Sequence, residues 1–91
     1  MKFKLGSLVY TKGISETIKK DRTFLKEIID ALNRYVDCDW GDLCPEDCAL
    51  NKKAIKNNER ILASYTTSYG KIYIITEWDH SVTTILFTYE Y

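Results

Sequence analysis

Apolar residues recur along this chain with two different periods, and the change from one to the other divides it. Between Ile14 and Val36 the apolar positions Ile18, Leu25, Ile28, Ile29, Leu32 and Val36 come at three- and four-residue intervals, with Phe24, Ala31 and Tyr35 widening the stripe. That spacing lines up one face of a helix and predicts an amphipathic helix packed on a core. Ser15 and Asp21 are candidate N-caps, since a short polar side chain accepts from a freed amide, so a short helix followed by a longer one is expected. From Arg60 onward the residues are β-branched and aromatic, in runs from Ile61 to Tyr69, Lys71 to Trp78 and Val82 to Tyr89. These read as three strands joined by turns at Gly70 and at Asp79-His80-Ser81. Alternation puts Ile72, Ile74 and Trp78 on one face and Tyr73, Ile75 and Glu77 on the other, which is expected to be partly exposed.

Two weaker patterns complete the chain. Phe3 to Lys12, with Leu5, Val9 and Tyr10, reads as a first strand that turns away at Gly13. Cys44-Pro45-Glu46-Asp47 reads as a helix start, because proline needs no amide partner in the first turn and two carboxylates complement the positive end of the dipole. The helix expected from about Pro45 to Asn58 has a thin apolar face of Cys48, Ala54 and Ile55, with Leu50 nearby. Between the helices, Asp37 to Leu43 is a connection whose Trp40 is placed to fold back on the core. The predicted fold class is α+β: a four-stranded antiparallel sheet with two or three helices on one face, in the order β-α(α)-α-β-β-β.

Composition narrows the setting. The 91 residues suit a single domain, 1–91, and 45% hydrophobic with 13% aromatic content excludes disorder. No run approaches the length of a membrane span and Met1-Lys2-Phe3-Lys4 does not lead into a signal-peptide core, so a cytoplasmic protein without membrane association is expected. Three cysteines, Cys38, Cys44 and Cys48, cannot all pair within one chain and suit a reducing compartment. The formal net charge is zero, but it is unevenly spread: residues 1–36 hold eight Lys/Arg and four Asp/Glu, residues 37–51 none and five, and residues 52–91 five and four. A local acidic patch survives the neutral total.

Several constellations bear on chemistry. Cys38, Cys44, Cys48 and the only histidine, His80, have the elements of a Cys₃His zinc site, but C-x₅-C-x₃-C lacks the short knuckle that presents two thiolates, so no metal and no cofactor is expected. A Cys–His hydrolase would use the same residues, with Asp79 or Glu77 orienting His80. Glu77, Asp79 and His80 also match the elements of a metal-dependent nuclease cluster, against the plainer reading of a polar hairpin turn. The four glycines are isolated, so no phosphate-cradling loop exists. Lys19, Lys20, Arg22 and Lys26 are interleaved with Glu16, Asp21 and Glu27, as on a solvated helix face. Asp37, Asp39, Asp42, Glu46 and Asp47 around Trp40 form the most unusual local feature. An exposed ring among carboxylates would suit docking on a basic protein; the plainer alternative is a core tryptophan beside a helix N-terminus.

At Asp39-Trp40-Gly41-Asp42-Leu43-Cys44, at Asn58-Glu59-Arg60-Ile61-Leu62-Ala63-Ser64-Tyr65, from Ile72 to Asp79 and at Ser81-Val82-Thr83-Thr84-Ile85-Leu86-Phe87, the chain resembles a family of small plasmid, prophage and conjugative-element proteins of Firmicutes. It departs from the family pattern at His80, in place of arginine, and at Thr88, in place of proline. The resemblance implies a mobile-element protein of the kind that counters host defence, with a link to anti-CRISPR proteins directed at Cas9 systems. It carries over no functional residues. The leading expectation is a non-enzymatic interaction protein whose partner is a protein or ribonucleoprotein of a host defence system. The alternative is a nucleic-acid-binding regulator using the basic helix and Tyr65, Tyr69 and Tyr73 as stacking platforms. An exposed edge strand or the second sheet face is the expected seat of any homodimer.

Overall fold

A computed structural model describes residues 3–91. The elements are β1 (Ser7–Tyr10), α1 (Lys12–Lys20), α2 (Arg22–Val36), α3 (Pro45–Asn57), β2 (Ile61–Thr67), β3 (Gly70–Thr76) and β4 (Val82–Phe87), followed by a short 3₁₀ turn at Thr88–Glu90. The order and the α+β class are as expected. Asp21 separates the first two helices by accepting from Thr23 N (2.9 Å) and Thr23 Oγ1 (2.6 Å), the N-cap bond its side chain offers. Ser15 caps nothing, because α1 already begins at Lys12 with Thr11 at its N-cap.

The sheet is mixed, which corrects the antiparallel expectation. Its strand order is β1-β4-β3-β2, and β1 runs parallel to β4 with Ser7 opposite Val82 and Tyr10 opposite Ile85. Turn residues dictate the two hairpins locally, but nothing local orients a strand separated from the meander by three helices. Helical crossovers are the usual link between parallel strands. The other edge is closed to β1: Ser64 N donates to Trp40 O (3.3 Å), Asp42 N donates to Ser64 O (2.7 Å), and Asn51 of α3 exchanges two bonds with the Leu62 backbone. These contacts act as a partial fifth strand that occupies the outer backbone groups of Leu62 and Ser64.

Alternate residues of β2, β3 and β4 point towards the helices: Ile61, Ala63 and Tyr65; Ile72, Ile74 and Thr76; Thr83, Ile85 and Phe87. All are buried and, with the two threonines aside, join Ile14, Phe24, Ile28, Ala31, Tyr35 and Trp40 in one apolar cluster. The threonines are satisfied by a chain of hydroxyls. Thr83 Oγ1 donates to Leu5 O (2.7 Å), so it accepts from Thr76 Oγ1 (2.8 Å), which leaves Thr76 to accept from Tyr35 Oη (2.6 Å). One acceptor at the end thus orders three protons and ties α2, β3, β4 and the segment before β1 together.

Three further expectations are corrected. Phe3 to Lys12 is not one strand: Gly6 takes a positive φ of 66°, the strand occupies only Ser7–Tyr10, and Phe3 is a buried core residue. Gly13 lies inside α1, where a Cβ would come 2.8 Å from the Glu90 carboxylate that its amide contacts. Trp78 does not share the face of Ile72 and Ile74, because β3 ends at Thr76 and the ring stands 65% exposed in the following turn. Ile75 does point away from the helices, yet it is buried, as is Leu86 on the same face.

Glu90 closes the fold behind β4. It accepts from Thr11 Oγ1 (2.7 Å), Gly13 N (3.0 Å) and Phe87 N (3.0 Å), joining the last turn to the start of α1. Burial pushes its carboxyl up, but the bonds from Thr11, Phe87 and Gly13 outweigh that and hold it below the ordinary carboxylate range. Asp21, Asp39 and Asp79 are also held low, each chiefly by a side-chain hydrogen bond, from Thr23, Arg34 and Ser81 respectively. Each folded-state pKa lies below the unfolded one, so the folded chain binds fewer protons. The stabilisation is complete above the unfolded value of about 4 and is lost as pH falls through the folded value. The Tm is therefore expected to drop below about pH 4. Glu90→Gln is expected to shrink that drop while costing about 1–2 kcal/mol at neutral pH; an unchanged pH profile in thermal unfolding would count against this assignment.

Candidate functional site: an acidic segment along the sheet edge

The segment after α2 is shaped by the way the helix stops. Asp39 N donates to Arg34 O (2.9 Å) and Cys38 N to Tyr35 O (3.0 Å), with Cys38 at φ 63°. This is the two-bond C-terminal motif with a left-handed residue, a position that glycine fills at least cost. The chain then reverses so that Trp40 enters the core, where it is 6% exposed and packs on Phe3 (6.0 Å) and edge-on to Tyr35 (5.5 Å). Tyr65 Oη donates to Asp39 O (2.7 Å), and Arg34 lies over the Tyr65 ring (5.2 Å) while bonding Asp39 through Nε (2.8 Å) and Nη2 (3.2 Å). Trp40 is therefore a core anchor of this connection and not an exposed ring for a partner protein.

The five acids remain outside. Asp37, Asp39, Asp42, Glu46 and Asp47 are all exposed. Asp39 is engaged by Arg34 and the Gly41 amide (3.2 Å), and Asp42 accepts from Thr66 Oγ1 (2.7 Å). Among the described residues, Asp37, Glu46 and Asp47 make no ion pair. Glu46 and Asp47 occupy the first turn of α3, behind Pro45, where their charge complements the helix dipole.

The turn after β3 lies against the same core ring. Asp79 accepts from Ser81 N (3.1 Å) and Ser81 Oγ (2.7 Å), and His80, at φ 56°, sets its ring edge-on to Phe3 at 6.1 Å. Phe3 thus contacts both Trp40 and His80 and links the 37–47 segment to the 77–81 turn through the core. The acidic segment itself follows the outer edge of β2, with Trp40 and Asp42 at Ser64 and the Asp42 carboxylate at Thr66. Glu77 is partly exposed and sits 4.0 Å from Arg60, a pairing too long and too wet to matter much. Trp78 is the exposed aromatic of this turn, and the alternation pattern missed it. The signal was there in its neighbours: a tryptophan followed by Asp-His-Ser already belongs to the turn.

The chemical constellations do not assemble. Among the described residues no group of three or more His, Cys, Asp or Glu side chains is placed to hold a metal ion, so Cys38, Cys44, Cys48 and His80 do not form the weakly suggested zinc site. Cys44 is exposed at the α3 N-cap; the Asp47 amide favours its thiolate, but the Asp47 and Glu46 carboxylates outweigh it and push the thiol up. Cys48 makes only a long contact of 3.8 Å with Leu43 O. His80 Nε2 is enclosed without a hydrogen-bond partner among the described residues, so it activates no thiol through that atom. The tyrosine platform also dissolves. Tyr65 is buried under the helices, Tyr69 bonds Asp21 (2.7 Å) and packs edge-on to Phe24, and Tyr73 lies on the opposite sheet face against Tyr91.

No helix of the described residues is long and apolar enough to cross a membrane. No family model matches the chain, and neither a curated protein nor a solved structure matches it.

Proposed function

We propose that this chain is a non-enzymatic interaction protein of a mobile genetic element, acting in the cytoplasm as an inhibitor of a nucleic-acid-directed host defence complex. The observation that carries the reading is the acidic segment along the edge of β2. Five exposed carboxylates lie within residues 37–47 without a lysine or arginine among them, and the exposed Trp78 stands in the turn beside Glu77 and Asp79. Carboxylates steer the encounter with a basic, nucleic-acid-binding surface, and an exposed indole supplies the apolar contact that a hot spot requires. The resemblance to plasmid and prophage proteins supplies the setting, and the size of the domain suits a steric block.

The test is retention of purified Cas9 with guide RNA, guide RNA alone, or restriction subunits on the immobilised protein. Retention of one of the protein complexes is expected, weakening with salt. Reversing Asp37, Glu46 and Asp47 to lysine should reduce it at least about tenfold, and Trp78→Ala should do so without altering the salt slope. Failure to retain any of them sinks the defence-inhibitor reading. Retention of nucleic acid alone at low salt would instead favour the regulator reading, for which the exposed Lys19, Lys20, Arg22 and Lys26 are the remaining support.

A further inference from the structure

The face of α3 turned towards the 38–41 connection borders an open cavity of about 690 Å³. Its size is within the range of small-ligand sites, roughly 300–1,000 Å³. Trp40, Ile55, Cys38 and Cys48 line it with apolar and thiol surface, and Lys52 and Lys56, one helical turn apart, line it with charge. The only acid in the lining, Asp39, has both oxygens engaged, by Arg34 and by the Gly41 amide. Neither lysine makes an ion pair among the described residues. An apolar recess with a neutralised carboxylate and two unpaired ammonium groups is complementary to a molecule with an apolar body and an anionic head.

We propose that this cavity is a binding site for a small amphiphilic anion, its chain or ring against Trp40 and Ile55 and its carboxylate or like head between Lys52 and Lys56. Cys38, at the left-handed position that ends α2, is among the residues that line the cavity. Cys48 brings a second thiol to the same lining, so an occupant covers both. The site needs no partner protein; it shares the 38–41 connection with the docking surface proposed above but is read through Lys52 and Lys56, which that surface does not use.

Decanoate is the probe, with decyltrimethylammonium as the cation of equal chain length. The protein carries Trp78→Phe, so that emission reports Trp40 alone, and Cys44→Ser, so that iodoacetamide reports Cys38 and Cys48. Decanoate is expected to shift Trp40 emission saturably and slow alkylation of these two thiols at least about fivefold, whereas the cation does neither. Lys52→Glu with Lys56→Glu should weaken decanoate at least about tenfold, and Ala49→Phe, which fills the recess, should abolish binding while the far-ultraviolet spectrum stays unchanged. Equal binding of anion and cation, or binding that leaves the thiols and Trp40 untouched, overturns the proposal. A filled Ala49→Phe variant that still binds does so as well.

Discussion

Gly41→Ala is expected to cost about 3 kcal/mol or more. A Cβ at this position would lie 2.0 Å from Ser64 O and within 2.9 Å of two Tyr65 ring carbons, at a backbone φ of 71° that alanine seldom adopts. Relief would require parting the bridge in which Ser64 N bonds Trp40 O and Asp42 N bonds Ser64 O, so the edge of β2 would open and Trp40 would leave its pocket. Urea unfolding measures the loss, and a red-shifted emission in a Trp78→Phe background reports the displaced ring. Gly70→Ala is the control: it shares a positive φ of 115° but has nothing within 4 Å of the added carbon, so only the backbone term, about 1 kcal/mol, applies. A Gly41 variant no less stable than the Gly70 variant would refute the account.

Thr76→Val should be the next most damaging conservative change, at about 2–3 kcal/mol despite its nearly equal shape. It strands the buried Tyr35 hydroxyl without an acceptor and removes the donor that Thr83 accepts, in a region closed to water. Tyr35→Phe should cost less, about 1–2 kcal/mol, because Thr76 keeps its bond to Thr83. Once Thr76 is valine, removing the Tyr35 hydroxyl no longer breaks a bond and should be close to neutral. A double-mutant cycle by denaturant unfolding reads this directly, and strictly additive losses would show that the hydroxyls do not act as a connected chain.

These two sites also show where periodicity informs and where it stops. The break at Asp21, the start of α3 at Pro45 and the three strands of the meander follow from local signals that act within a few residues: a capping carboxylate, a proline, alternation between turns. The direction of β1 was not legible, since it depends on which edge of a distant meander is left open. Trp40 is buried, as its placement in the connection suggested, whereas Trp78 was misplaced on the inner face for a related reason. Burial of Trp40 depends on Phe3 and Tyr35, far away in sequence, and exposure of Trp78 depends on β3 ending two residues earlier. The acids at 37–47 were legible as a charge run. The link between Trp40 and the 77–81 turn was not, because Phe3 makes it through the core and sits outside both segments.

The pairing of Ser7 with Val82 has a consequence for the order of events during synthesis. The meander is built from neighbours and can close as soon as its last strand is made, whereas β1 leaves the ribosome early and has no ladder to join until β4 exists. In the interval α1 and α2 emerge with their apolar stripe uncovered, because the sheet that receives it is encoded after them. The fold therefore has high contact order at its first strand, and the waiting helices are the part of the nascent chain most in need of protection from premature association.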